Sequence, residues 1–501
     1  MHLTHHMRSI ASALAAAAIV PSLAASAADF APPGDIPARP EEIVFAPLRF
    51  EPPSAAEYRH VLPCGVVVYL APSRELPLVD LRMTFKGGAY LESADRTGLA
   101  SMTGAMLRTG GTAALEPAAL DERLDFLATE ISINCGATTS TASIDCLAAN
   151  FDESLALLMD MLRTPRLDAA KQAVAVGRAI ESMKQRNDDA GPILDREWAA
   201  AMYGAEHFEA REPTEASIRA IDEAAMRGFA TRVFNRSNVI VAVSGDFEPD
   251  AMLAKLDAAF ASWPAGERMA DPPAPDATPR PGVFHVEKEI PQGKVYLGRR
   301  GIRRDDPDFF PALVMNEILG GGGFTSRIMK TVRSDEGLAY SAGSSLDPGV
   351  WYEGEFRAGF QSKSPTVALA IKLINREFER IRDEAVSEEE LEVAKRSFIE
   401  TFPRAFESKE AMLGIFVGDE WTGRDPSYWA TYRDKVAAVT AEDVKRVAQR
   451  LLDPSRMTVF VVGDWDAIAP GDAGNRAKMA DFFDDRAEQV PLRDPLTLEP
   501  M

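Results

Sequence analysis

The chain has 501 residues and a formal net charge of −21, too long for one ordinary core and suited to two or more domains. Its acidity comes without a basic stripe, which argues against nucleic acid or an anionic membrane surface as partner; solubility is the simplest consequence of that charge.

At the N-terminus, Arg8 supplies a short positive region, residues 10–23 form an apolar Ala-rich run, and Ala25-Ser26-Ala27 fits a small-residue cleavage site. The run is too short to read as a membrane span. Residues 1–27 are expected to be an export signal, placing the mature chain outside the cytoplasm, most simply in the periplasm. Residues 28–56, rich in Pro and Ala, read as an extended leader.

Regular structure is expected from about Tyr58. Val66–Leu70 is a β-branched run and Val79–Phe85 alternates apolar with polar, so both read as strands. Leu99, Met102 and Met106 share one helical face, and Gly110-Gly111 closes that helix. A helix around Leu120–Leu127 follows. Residues 131–147 read as a hairpin turning near Thr139 to Thr141, with Cys135 and Cys146 equidistant from the turn. An oxidising compartment would permit a bridge between them; the alternative is two buried small side chains. Helices are expected over 152–162, 168–186 and much of 214–234, then a strand at 239–243 before Ser-Gly-Asp246.

Residues 264–282 are dense in Pro, Ala and Asp and read as a linker. The pattern then restarts with a strand at 294–298, helices at 309–319 and 325–333 separated by Gly320–Gly323, and a strand-like alternation over 351–360. Helices over 366–385 and 388–402 follow, and a strand at 457–462 before Gly463-Asp464. The segments ending in Gly245-Asp246 and Gly463-Asp464 match each other, the mark of a domain duplication. The fold class expected is α+β: two homologous sheet-plus-helix domains in tandem, 57–263 and 283–480, with 481–501 as a tail.

The stretch from Asp95 to Thr112 resembles the active-site helix of the insulinase/pitrilysin metallopeptidases, in which five residues form an inverted zinc motif, H-x-x-E-H. Here they are Ser101-Met102-Thr103-Gly104-Ala105. Ser101 and Ala105 stand where the resemblance puts the two His ligands, and Gly104 where it puts the general base. The third ligand, a Glu on a later helix, falls at Ser182, with Glu181 beside it. Zinc hydrolysis needs three protein ligands, an open position and a base, so no metal site of this type is expected in this chain. His60, His207 and His285 are scattered outside any zinc frame.

Residues 320–340, running from Gly320 through Arg333 to Gly337-Leu-Ala-Tyr340, resemble the same family's second-domain motif. The Gly-Lys-Ser/Thr ending of a phosphate loop is absent. In two-chain bacterial members the zinc-less subunit supplies this Arg and Tyr to its partner, so the resemblance implies that Arg333 and Tyr340 act in trans, the Tyr hydroxyl toward a developing oxyanion and the Arg as a fork on substrate oxygens. From residue types alone, a surface ion pair for Arg333 and a core position for Tyr340 would be the expectation. The resemblance also implies peptide addition at a sheet edge, for which Lys86, Gly87, Gly88 and Ala89 are the candidates. It implies one half of a clam-shell chamber, a homologous H-x-x-E-H subunit as partner in a heterodimer, zinc in that partner and no cofactor here, and peptide as substrate. A non-catalytic scaffold or peptide-binding protein on the same fold is the second reading.

Overall fold

Two short apolar runs, Val239–Gly245 and Thr458–Gly463, are buried along almost their whole length. Strands of that kind are covered on both faces, and each lies inside a six-stranded sheet. The computed structural model describes residue 39 and residues 49–501. The expected signal peptide and most of the leader lie outside the described residues.

The first sheet contains β1 (Arg59–Val61), β2 (Val67–Pro72), β3 (Leu78–Lys86), β4 (Glu130–Cys135), β5 (Thr139–Leu147) and β6 (Val239–Gly245) in the order β1-β2-β6-β3-β5-β4. The second contains β7 (Gly282–Glu287), β8 (Gln292–Arg300), β9 (Ala339–Asp347), β10 (Glu355–Lys363), β11 (Thr458–Gly463) and β12 (Ala487–Gln489) in the order β12-β7-β11-β8-β10-β9. Setting aside the short edge strands β1 and β12, the two orders are the same. In each sheet one pair is parallel, β2 with β6 and β7 with β11, and the remaining pairs of the five are antiparallel. The duplication read from the two Gly-Asp endings therefore extends to the topology of both halves.

The inner faces follow from period-two alternation. In β3, Val79, Leu81, Met83 and Phe85 are buried under helices, while Asp80, Arg82 and Thr84 face the other way. The outer faces are covered reciprocally. The helix Lys409–Thr422 from the second half lays Met412, Leu413, Phe416 and Val417 on Tyr69, Ile240 and Ala242 of the first sheet. The helix Ala190–Tyr203 from the first half lays Ile193, Leu194, Trp198 and Met202 on Phe284, Val286, Phe460 and Val462 of the second. Each half thus completes the other's hydrophobic cover.

Residues 264–281 carry no regular secondary structure, yet they are tied down. Met269 is buried and its amide donates to Asn238, and the Ala270 carbonyl accepts from the Tyr90 hydroxyl. The segment expected as a tail is also structural. β12 adds to the edge of β7 in parallel. Beyond it, Val490 and Leu492 pack into the second sheet's outer cluster, and Arg493 forks onto Glu197 of the first half.

The expected hairpin forms, but its turn is Gly136–Thr138, so Cys135 pairs with Ser140 and not with Cys146. Cys146 lies six residues further along β5, roughly 20 Å at strand rise, far beyond the reach of a disulfide. All three cysteines are free thiols. Among the described residues, no helix is long and apolar enough to cross a membrane.

Candidate functional site

The helix Leu99–Thr109 starts at Gly98, whose φ of 100° suits glycine. A Cβ there would also lie 2.7 Å from Ile218 Cδ1. Glu92 caps this start: its carboxylate accepts from the Gly98 amide at 2.9 Å and the Ala100 amide at 2.6 Å, which the positive end of a helix favours. Burial nonetheless pushes the Glu92 carboxyl above its ordinary value, the two amides pulling against it. Leu99, Met102 and Met106 face the core as their spacing predicts.

Gly104 is the point where this helix meets β4. A Cβ on Gly104 would lie 3.1 Å from the Ile133 carbonyl oxygen, 3.2 Å from the Cys135 amide and 3.3 Å from Cys135 Sγ. A side chain at position 104 would need β4 or Cys135 to give by a few tenths of an ångström. Ser101 turns its hydroxyl back onto the Gly98 carbonyl at 3.1 Å.

Ser101 and Ala105 line a cavity of about 370 Å³ together with Ser182, on the helix Ala169–Lys184. The structure therefore brings the three positions together. Glu181 points elsewhere and pairs with Lys184 at 2.6 Å. Met102, Met183 and Arg186 also line the cavity, with small apolar residues between them. Two hydroxyls, two thioethers and a guanidinium do not fit a divalent cation, which takes carboxylate, imidazole or thiolate donors.

The strand-edge candidates are corrected by the sheet order. Lys86 ends β3, an interior strand flanked by β6 and β5. Beyond it, the Gly87 amide donates to the Thr138 carbonyl, Ala89 to Gly136 and Tyr90 to Ala137. The Lys86 carbonyl accepts from Asn238 and that of Gly87 from Ser140. The Lys86 ammonium pairs with Asp271. This backbone is already satisfied by its neighbours, so Lys86, Gly87, Gly88 and Ala89 offer no open ladder. At this end of the sheet the edge is β4.

In the second half, the helix Phe309–Asn316 continues into a wider π-turn, Glu317–Gly321. Gly320 makes that close approach feasible, because a Cβ on it would lie 2.3 Å from the Ser344 amide. After the Gly323–Thr325 turn, Arg327 forks onto Glu390 at 2.7 and 2.9 Å. Burial works against charge on Glu390, but Arg327 and the Ser387 amide and hydroxyl outweigh it and hold the carboxyl at about 2. This anchor precedes a second π-turn, Lys330–Asp335, which carries Arg333.

Tyr340 is presented by a bulge. Ala339 pairs with Ser362 and Ala342 with Phe360, so Tyr340 and Ser341 together oppose Gln361. Bulges of this kind re-aim a side chain, and Tyr340 is 85% exposed. The Arg333 guanidinium lies 4.7 Å from the Tyr340 ring centre and 4.7 Å from that of Phe324, itself 71% exposed. Arg333 has no ion-pair partner among the described residues. The alternative of a core Tyr and a paired Arg is therefore not what the fold builds. Phe324 escaped the sequence reading; its signal was a lone large aromatic inside a glycine run, where nothing local needs it.

Residues 220–398, which hold this whole Arg–aromatic segment, match the family described as "Peptidase M16 inactive domain". That segment is similar to the inactive domain of the M16 peptidases. Among relatives of this chain is the "Non-peptidase homolog YmxG" of Helicobacter pylori, 21% identical over 414 residues, covering 82% of this chain and 95% of that protein. A crystal structure of a peptidase M16 inactive domain from Pseudomonas fluorescens superposes with a TM-score of 0.72 at 25% identity, covering 81% of this chain and 97% of that one. The periplasmic protease PqqL of Escherichia coli shares the fold, with a TM-score of 0.69 at 16% identity over 81% of this chain and 45% of that one.

Proposed function

We propose that this chain is an M16-family protein, the exported, zinc-less subunit of a two-chain peptidase. It consists of two peptidase-like domains, 57–263 and 283–480, and forms one half of a clam-shell chamber. A homologous partner supplies H-x-x-E-H, zinc and the attacking water. This chain supplies Arg333 to fork onto a substrate carbonyl or carboxylate and Tyr340 to donate to the oxyanion. The observation that carries the reading is the presentation of these two groups. An exposed Tyr, unpaired Arg and exposed Phe stacked at 4.7 Å cost solvation and gain little for a lone monomer, whereas an apolar-rimmed cation is ready for a ligand or partner. Export to the periplasm rests on residues 1–27 and agrees with the location of the PqqL neighbour.

The test is affinity purification of the tagged mature chain from its native extract. Recovery of an H-x-x-E-H protein in equal amount supports the pairing. In that complex Arg333→Ala and Tyr340→Phe should each lower kcat about 10- to 1,000-fold while assembly persists. Unchanged turnover in both variants refutes the trans role. Recovery of this chain alone gives the lead to a non-catalytic scaffold or peptide-binding protein, a reading favoured by the "non-peptidase" relative and by the open cavity at Ser101 and Ser182.

A further inference from the structure

The cavity beside Ser101 has lost donors suited to zinc without being filled. Its volume of about 370 Å³ suits one or two amino-acid residues. Its walls are mostly apolar, including Met102, Met183 and Ile218, and, besides Ser101, whose hydroxyl is spent on the Gly98 carbonyl, two features break that character. One is the Ser182 hydroxyl, which takes no partner among the described residues. The other is Arg186, whose side chain is 15% exposed.

Arg186 is held from behind. Its Nη1 donates to the Pro495 carbonyl at 3.2 Å, and its Nε lies 3.6 Å from Glu212. Nη2 finds no acceptor among the described residues. Arg493 and Arg196 share Glu197, and Glu212 is the one carboxylate that Arg186 contacts among the described residues.

We propose that this cavity binds the C-terminal residue of a peptide. The carboxylate meets Arg186 Nη2 and the Ser182 hydroxyl, and an apolar side chain lies among Met102, Met183 and Ile218. A half-buried guanidinium is the side chain best suited to a carboxylate. A carboxylate adjoining an apolar side chain is what a peptide's last residue offers; an internal Asp or Glu does not pair the two in that way. The site requires no partner chain.

The experiment is calorimetric titration of the mature chain with N-acetyl-Ala-Leu and, separately, with its C-terminal amide. The free acid should bind at least tenfold tighter than the amide. Arg186→Met keeps the aliphatic stem and should bring the acid down to the affinity of the amide. Arg186 also holds the C-terminal segment, so a second variant guards against loss of fold. Ser182→Phe fills the mouth from an exposed helix position and should abolish binding of both ligands with the melting temperature unchanged. Equal affinity for acid and amide, no binding of either, or wild-type binding by Ser182→Phe each overturns the proposal. None of these results bears on a zinc-bearing partner, and failure to recover such a partner leaves this site standing.

Discussion

Replacing Arg493 tests whether the C-terminal segment is part of the fold. Glu197 is 3% exposed and accepts Arg493 Nε at 2.8 Å and Nη2 at 3.1 Å. Its remaining partner is Arg196 Nε at 3.1 Å. Breaking a buried pair from one side costs about 3–5 kcal/mol because the other charge is stranded. Arg196 stays, and the Arg493 side chain is 30% exposed, so Arg493→Met should cost about 2–3 kcal/mol. Glu197→Gln strands Arg196 and Arg493 less severely, since Arg493 can reach water. The double variant should lose less than the sum of the singles, with a coupling of about 1–3 kcal/mol. The assay is urea unfolding followed in parallel by fluorescence and circular dichroism, read as midpoint at constant slope. The reciprocal helices Ala190–Tyr203 and Lys409–Thr422 predict coincident transitions by the two probes. An Arg493→Met midpoint within error of wild type, or coupling near zero, refutes the segment's structural role.

Three further outcomes follow from local geometry. Gly104→Ala should be net destabilising by about 1 kcal/mol in thermal melts, because two of the three nearest atoms are β4 backbone and overpacking outweighs the helix-propensity gain of about 1 kcal/mol; a more stable variant contradicts the close contact. Asp80 lies opposite Asp145 on the next strand, and burial, then Glu410 and Asp145, push its carboxyl up to about 6. That penalty is present above about pH 6 and fades as pH falls toward the unfolded value, so Asp80→Asn should gain about 1–2 kcal/mol at pH 7.5 after solvent screening; a gap that stays constant down to pH 4 rules this out. Glu390, held at about 2, contributes stability that is complete above its unfolded value and lost as pH falls toward 2. Arg327→Met should flatten that acid limb, and an unchanged pH–stability curve would show that the fork at Glu390 contributes nothing.

The strands most readily read from sequence were those with one simple cause. β6 and β11 are unbroken apolar runs closed by Gly-Asp, and β3 alternates along its whole length. The two exchanged helices were not legible. Lys409–Thr422 contains Gly414 and Gly418 beside an Ile-Phe-Val run, which blurs a helical period. Ala190–Tyr203 buries Arg196 and Glu197, charges that a sequence reading places outside. β9 was missed because Ala339–Asp347 is mostly small and polar, and its bulge breaks the period of two at Tyr340. The edge assignment at Lys86 failed for a topological reason. Neighbours in a sheet are set by β5 and β6 arriving from about 50 and 150 residues away, and nothing local to Lys86 records them.

The duplication explains why the two halves diverged as they did. Equivalent strand orders place a helix after β3 and another after β8, each facing a later helix of its own half. In the first half that helix is held close to β4 through Gly104, it presents Ser101 and Ala105, and the space between helices holds a cavity with one guanidinium. In the second half the equivalent helix is widened by a π-turn over glycines, and the chain beyond it spends a bidentate Arg327–Glu390 anchor on fixing a segment whose two outermost side chains, Phe324 and Tyr340, bury almost nothing. Stability alone gives no reason to hold an unpaired, half-buried Arg between two exposed rings. A binding event does, because pre-ordering the three groups removes the entropy cost of ordering them when the ligand or partner arrives. The fold invests in one half to keep a cavity and in the other to keep a cation presented, and both investments are oriented toward molecules outside this chain.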